Sequence, residues 1–249
     1  MSKVQFKPLP RQSRPSLERG GSGAIVTQSK IGNESSKQTV VVTVMAAVGA
    51  VILAAGPSTR MGMPKQLLQF GGQTLLRRAA FAALEAGCRP VVVVTGANAS
   101  ACRESLDGLD VQEGENHQWQ SGMSSSVRVG VEAVVAVEPK TAAVVLMLCD
   151  QPFVTRDIVA ALVAVYRETG CSIVASRYGK SYGAPALFGS AHFAELKALE
   201  GATGAKQVIQ KHLPKVHLLP FPGGEIDVDT RDDFARLQAM KLSGRIERR

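Results

Sequence analysis

The sequence predicts an α/β protein: a single doubly wound, mostly parallel sheet with a flexible N-terminal extension. Three observations point there. At 249 residues the chain can bury one sizeable α/β core. Apolar runs bounded by turn residues alternate with longer segments of helical period, which is the pattern of βαβ units. No internal repeat interrupts that alternation. Strands are expected at 49–54, 90–95 ("PVVVVT"), 142–148 ("AAVVLML"), 171–176 ("CSIVAS") and 215–219 ("KVHLL"), all rich in β-branched or aliphatic residues. Between them, "QTLLRRAAFAALEAG" places Leu75, Ala79, Ala82 and Ala83 along one side and stops at Gly87, as a helix with a glycine end should. "TRDIVAALVAVYRETG" starts on a capping Thr155 and ends at Gly170.

Residues 1–38 are polar and basic and carry +5 of the net charge of +8, so they read as a solvated, disordered tail ahead of a domain at 39–249. The domain itself keeps only about +3, and aromatics are 5% of the chain. That balance argues against a nucleic-acid partner, which normally demands a basic stripe on the fold. Cys88, Cys102, Cys149 and Cys171 are scattered without metal-ligand spacing, which points to reduced thiols in the cytoplasm. No secretory leader is expected. The apolar run from Val40 to Ala55 is shorter than the roughly 20 residues of a membrane helix and ends in a glycine loop. It reads as a core strand with an apolar lead-in, and Met45 resembles an alternative chain start.

The stretch "VILAAGPSTRMGMPKQLLQF" (51–70) leads from that strand into the loop. Its glycines, Gly56 and Gly62, match neither GxxxxGK[ST] nor GxGxxG. A strand still delivers free backbone N–H groups to the rim where α/β sheets bind ligands, and Arg60 and Lys65 add two cations. Such a donor set suits a triphosphate. On spacing alone, an ordinary βα loop with two surface cations remains the other reading.

"LAAGPSTRMGMPKQLL" resembles the LAAGxSxRMGxxK signature of nucleotidyltransferases of the molybdenum-cofactor and methylerythritol-cytidyl type. "NHQWQSGMSSSVRVG" (116–130), "CDQP" (149–152), "YGAPALF" (182–188), "GATGAK" (201–206) and "DVDTRDD" (227–233) follow in the order found in molybdenum cofactor cytidylyltransferases, so the resemblance covers about 46–238. It implies a Rossmann-like nucleotidyltransferase fold. Leu53, Ala54, Ala55 and Gly56 would form the floor under the nucleotide, and Arg60 and Lys65 would grip its phosphates. Asp150, emerging after a strand, and Asp229, in a second acidic turn, would hold Mg²⁺. Arg60, Lys65 and Asp150 are the implied catalytic set. Gly96 and Ser126 would belong to the base pocket, the "SSSV" hydroxyls also suiting a helix start, and Gly183, Pro185 and Phe188 would line the acceptor side. His117, Trp119 and Cys149 read as packing residues, because nucleotidyl transfer needs neither thiol nor imidazole. Ala202, Thr203 and Lys206 stand where many members carry an acidic residue and an arginine.

The activity implied is transfer of CMP from CTP to the terminal phosphate of molybdopterin, the molybdenum cofactor, with pyrophosphate leaving. A molybdoenzyme or its maturation chaperone would be the recipient. Ala55 occupies a position that is glycine in the guanylyl branch, and a methyl there would disfavour the wider purine. Alternatives are GTP as donor, a sugar or polyol phosphate as acceptor, or a non-catalytic protein that carries the cofactor.

Overall fold

The computed structural model describes residues 46–242. The basic tail, the lead-in before Ala46, Met45 and the last seven residues lie outside them. Among the described residues nine strands and seven α-helices follow in this order: β1 Val48–Leu53, β2 Gln69–Phe70, β3 Gln73–Thr74, α1 Leu75–Glu85, β4 Val91–Thr95, α2 Ala99–Ser105, β5 Gln112–Glu115, α3 Met123–Val137, β6 Ala143–Leu148, α4 Arg156–Thr169, β7 Ile173–Tyr178, β8 Ser181–Gly189, α5 Phe193–Lys197, α6 Lys206–Lys211, β9 His217–Pro220 and α7 Arg231–Leu242. β2 and β3 form a small hairpin, and the other seven strands form one sheet in the order β5-β4-β1-β6-β8-β7-β9. Within it, β1 pairs parallel with β4 and β6, β4 with β5, and β7 with β9. Only β8 runs the other way, against both β6 and β7.

Strand side chains alternate between two cores. Ala50, Ile52, Val93 and Val145 face one side with Leu76, Ala80 and Ala83 of α1 and Val159 and Leu162 of α4. Val51, Val94 and Val144 face the other with Val127, Val131 and Val134 of α3, Leu196 of α5 and Ile209 of α6. That two-sided burial is why the strands read as unbroken apolar runs, and it makes the sheet doubly wound as expected. A third, smaller cluster joins Met61, Leu68, Phe70 and Leu75 to Val228 and Leu237, tying the glycine loop to the C-terminal segment.

Helix ends follow local chemistry. After α1, Gly87 adopts φ +82° while Cys88 N–H bonds Ala83 O and Gly87 N–H bonds Leu84 O, a Schellman ending. α4 ends on the left-handed Gly170, φ +70°. Thr155 stands at its N-cap without a side-chain capping bond, so the expected cap is positional only. β5 and β8 are not among the expected strands, and the fourth strand begins at Ile173, two residues later than expected.

α3 crosses the sheet closely at Gly130, where an added Cβ would lie 2.2 Å from Val51 Cγ1 and 3.0 Å from Val94 Cγ2. Gly130→Ala gains about 1 kcal/mol of helix propensity, against an overpacking cost of about 1 to 3 kcal/mol that is greatest where nothing nearby can move. Val51 is fully buried. Gly130→Ala is therefore expected to lower stability by about 2 kcal/mol in urea unfolding; unchanged or raised stability would contradict this packing.

Candidate active site

β1 delivers Leu53 to the rim, and Ala54 and Ala55 continue as a buried floor. Gly56 beyond them is exposed, with open space around the position of a Cβ. Among the described residues no acceptor meets the backbone N–H groups of Gly56, Ser58, Thr59 and Arg60. Free donors at the end of a parallel strand suit an anion.

Two polar side chains shape the loop. Ser58 sits at φ +56°, a left-handed conformation that costs a non-glycine residue energy. Its Oγ accepts from Lys65 N–H at 3.1 Å and donates to Gln66 Oε1 at 3.2 Å. Gln66 is buried, and its Nε2 donates to Ala54 O at 2.9 Å and to Gly56 O at 2.7 Å. The loop is thus folded back on its own strand, which brings Lys65 to the rim. Neither role was evident in the sequence, where Gln66 is one polar residue between a cation and a leucine pair.

Asp150 follows β6 after Cys149, so its carboxylate emerges facing the loop. The second acidic turn is tied to it through the backbone, Val228 N–H donating to Asp150 O at 3.0 Å. Val228 is buried beside Met61, and Arg231 Nε donates to Met61 O at 3.1 Å. Thr230 and Asp233 bond reciprocally, Thr230 N–H to Asp233 Oδ2 and Asp233 N–H to Thr230 Oγ1, a capping box that starts α7 and fixes Asp229 ahead of it.

These elements gather four of the expected residues. Lys65 Nζ donates to Asp150 Oδ2 at 2.5 Å and to Asp229 Oδ1 at 2.8 Å, while Arg60 Nη2 donates to Asp229 Oδ2 at 3.0 Å. Burial pulls on the Lys65 ammonium, but Asp150 and then Asp229 outweigh it and hold its pKa above the usual lysine range. The hydrogen bond from Lys65 holds Asp229 below the usual carboxylate range. Asp227, overlooked in the sequence, keeps an exposed residue surface, yet its carboxyl is pushed up to about 6 by partial desolvation and by the Asp150 and Asp229 charges. Three carboxylates thus face two cations. Asp150 Oδ1 is buried and has no hydrogen-bond partner among the described residues. An orphaned carboxylate oxygen beside a second carboxylate fits a hard divalent cation, which takes oxygen ligands.

Arg60 and Lys65 meet these carboxylates directly. Lys65 retains one of its three N–H donors, and the Arg60 side chain is 72% exposed, so both still present donors toward the rim.

The expected base pocket is more internally bonded than the sequence implied. A Cβ on Gly96 would lie 2.7 Å from Ala55 O and 3.0 Å from Trp119 Cβ, so glycine is needed for close approach. The Ala55 methyl is packed in the α3-side core with Val127 and does not stand free beside a ligand. Asn116 Nδ2 donates to Ser125 Oγ and Ser126 Oγ at 2.8 and 2.9 Å, Ser124 Oγ donates to Glu200 O, and Ser125 Oγ to Gly122 O. None of these serines caps α3, whose N-cap is Gly122.

Beside the rim lies an apolar pocket of about 180 Å³ lined by Leu53, Met123, Tyr178, Tyr182, Gly183, Phe188 and Lys206, among others. Gly183 and Phe188 are where the acceptor side was expected. Pro185 is not part of that lining; it is buried in β8, and its carbonyl accepts from Ser176 Oγ at 2.7 Å. Lys206 Nζ stands 5.8 Å above the Tyr182 ring. Cys149 and Trp119 pack against the core as expected, whereas His117 is 81% exposed and lies 3.6 Å from Glu115.

The model of the MobA-like NTP transferase domain matches residues 50–216. Nicotine blue oxidoreductase of Paenarthrobacter nicotinovorans is 38% identical over 123 residues, 48% of this chain, and the match spans 57% of that protein's length. The crystal structure of Rv0371c from Mycobacterium tuberculosis is similar at a TM-score of 0.66 and 34% identity, covering 78% of this chain and 99% of that one. A second structure of that protein is a complex with manganese, at a TM-score of 0.63 and 33% identity over 77% and 97% of the two chains. By the extent of the domain match and by the whole-length likeness to a solved relative, this chain belongs to the MobA-like NTP transferase domain family.

Proposed function

We propose that the protein transfers CMP from CTP to the terminal phosphate of molybdopterin, with Mg²⁺ at Asp150 and Asp229. The observation that carries the reading is the rim itself: free loop N–H donors, two cations, and a buried Asp150 oxygen without a partner beside Asp229. A relative solved as a complex with manganese supports use of a hard divalent cation.

In the proposed reaction an oxygen of the acceptor's terminal phosphate bonds to the α-phosphorus as the α–β P–O bond breaks, and pyrophosphate leaves with that electron pair. The acceptor is already an anion and needs no general base. Mg²⁺ would supply neutralisation of the phosphate charge. The loop N–H groups of Gly56, Ser58, Thr59 and Arg60 orient the triphosphate, and the remaining N–H donors of Lys65 and Arg60 take charge that develops on its oxygens. The apolar pocket beside Tyr182 receives a planar heterocycle, with Lys206 at its mouth in place of the arginine common elsewhere.

Incubation with each NTP, Mg²⁺ and molybdopterin, following pyrophosphate, tests the reading. Release is expected with CTP, and kcat/KM for CTP should exceed that for GTP by roughly 10- to 200-fold, the scale of a small steric difference in a closed pocket. The tight packing of Ala55, Gly96 and Trp119 supports the smaller base by leaving the wall little room to widen. Equal or better turnover of GTP would overturn the base assignment alone. A second reading, oxidoreductase activity, is suggested by the name of one relative, nicotine blue oxidoreductase; pyrophosphate release from an NTP would rule against it.

Lys65→Ala, Arg60→Ala and Asp150→Asn should each remain folded by circular dichroism and lose about 10²- to 10³-fold in kcat, the usual cost of one preorganised charge stabiliser. Wild-type turnover in all three would dismiss the site.

Asp227 gives the pH dependence. Its carboxyl is neutral below about pH 6 and charged above. A folded pKa raised above the unfolded value contributes stability that is complete below about pH 4 and is lost as pH rises through about 6. Mg²⁺ affinity should rise across the same window as the extra charge appears. Asp227→Asn should flatten the Mg²⁺ titration between pH 5 and 7.5 and raise thermal stability at pH 7.5; an unaltered profile would show that Asp227 does not act on the metal.

A further inference from the structure

We propose that His192, Glu195 and His212 form a second metal site, of the zinc class, at the rim opposite the glycine loop. β8 runs against β6, so its last residue, Gly189, pairs with Ala143 at the start of β6, and Ser190 N–H bonds Ala142 O at 2.8 Å. The turn Ser190–His192 therefore lies at the N-terminal ends of the parallel strands. The seven residue steps from Ala143 to Asp150 separate the two rims by about 23 Å at strand rise.

One ligand atom from each residue lies within 4.8 Å of the others. His212 Nε2 is 2.8 Å and His192 Nδ1 3.7 Å from Glu195 Oε2. Tetrahedral zinc, with bonds of about 2.0 to 2.1 Å, sets its ligand atoms about 3.3 Å apart, so shifts of about 1 Å close the site. The other nitrogen of His192, Nε2, is 2.9 Å from Ser172 Oγ, and the His192 side chain is only 12% exposed. A hydrogen bond from the non-ligating nitrogen is how metal-bound imidazoles are oriented, and it leaves the Nδ1 lone pair toward Glu195. Two imidazoles and one carboxylate select a borderline-soft ion such as Zn²⁺, whereas the all-carboxylate nucleotide rim selects a hard one. With three protein ligands the fourth position belongs to water. The ion would join α5 to the end of α6 and to the residue before β7, a structural role.

Glu195 also accepts from Lys211 Nζ at 2.7 Å, and a purely ionic staple of Glu195 with His212 and Lys211 is the competing explanation. The two differ in sign at Lys211, whose charge supports the staple and repels a metal. The untagged full chain, stripped of metal and carrying Asp150→Asn to remove binding at the nucleotide rim, is titrated with Co²⁺ by visible absorption and then with Zn²⁺ in competition with a chromophoric chelator. We expect one equivalent of Co²⁺ with the strong visible bands of tetrahedral geometry, displaced by Zn²⁺. His212→Gln and His192→Gln should abolish the bands, Ser172→Ala should weaken Zn²⁺ affinity about 10- to 100-fold as outer partners do, and Lys211→Ala should tighten it several-fold. Bands absent from the parent, bands retained in both histidine variants, or weaker binding in Lys211→Ala would each overturn the site. Four variants keep the test intact if one fails to fold.

Discussion

One ammonium group held between two carboxylates governs the rim. Two unit charges about 4 Å apart interact by about 4 kcal/mol at the effective dielectric of a protein surface, so Asp150 and Asp229 would repel without a cation between them. Lys65 fills that role by bonding both, and Arg60 adds a second bond to Asp229. Satisfying Lys65 requires the strained Ser58 and the buried Gln66, which fold the loop back on its strand. Satisfying Asp229 requires the Val228 bond to Asp150 and the Thr230–Asp233 capping box. The small apolar cluster of Met61, Val228 and Leu237 joins the glycine loop to the segment that carries Asp229. With Asp227 added, the cluster carries more acid than base, which leaves it short of the positive charge a divalent ion brings.

Much of this was legible in the residues. β1, β4 and β6 are aliphatic on both faces because helices cover both, and such runs are hard to mistake. β5, "QEGE", has no apolar signal: it is an edge strand, and its inward Glu113 is satisfied by Thr95 and Arg103. β8 was hidden by Gly183 and Pro185, which ordinarily argue against an interior strand. The ladder resolves this with a register shift: Ala175 pairs with Ala186 and Ser176 with Gly183, so Ala184 and Pro185 bulge where no ladder N–H is required. Arg60, Lys65, Asp150 and Asp229 were legible as candidates because each lies at a strand end or turn bearing charge, and the fold brings the four together. Gln66, Asn116 and Asp227 were not, since a buried amide or a carboxyl in a crowd differs from a surface one only in three dimensions.

A shared fold does not by itself fix a reaction, and the chemistry must be read from the site. Asp150, Asp229 and the free loop donors gather at the C-terminal rim, while His192 and His212 lie with Glu195 at the other. The apolar pocket is lined in part by Leu53, so under the proposed reaction an acceptor bound there would lie against the strand end that leads into the glycine loop.

The most direct measurement is a crystal structure grown with Mn²⁺ and CTP and read by anomalous scattering. The account predicts a Mn²⁺ peak coordinated by Asp150 Oδ1 and by Asp229, with the triphosphate against the N–H groups of Gly56, Ser58, Thr59 and Arg60. A nucleotide bound away from that loop, or a rim in which Lys65 alone still bridges both carboxylates while the triphosphate is ordered beside it without metal, would contradict it.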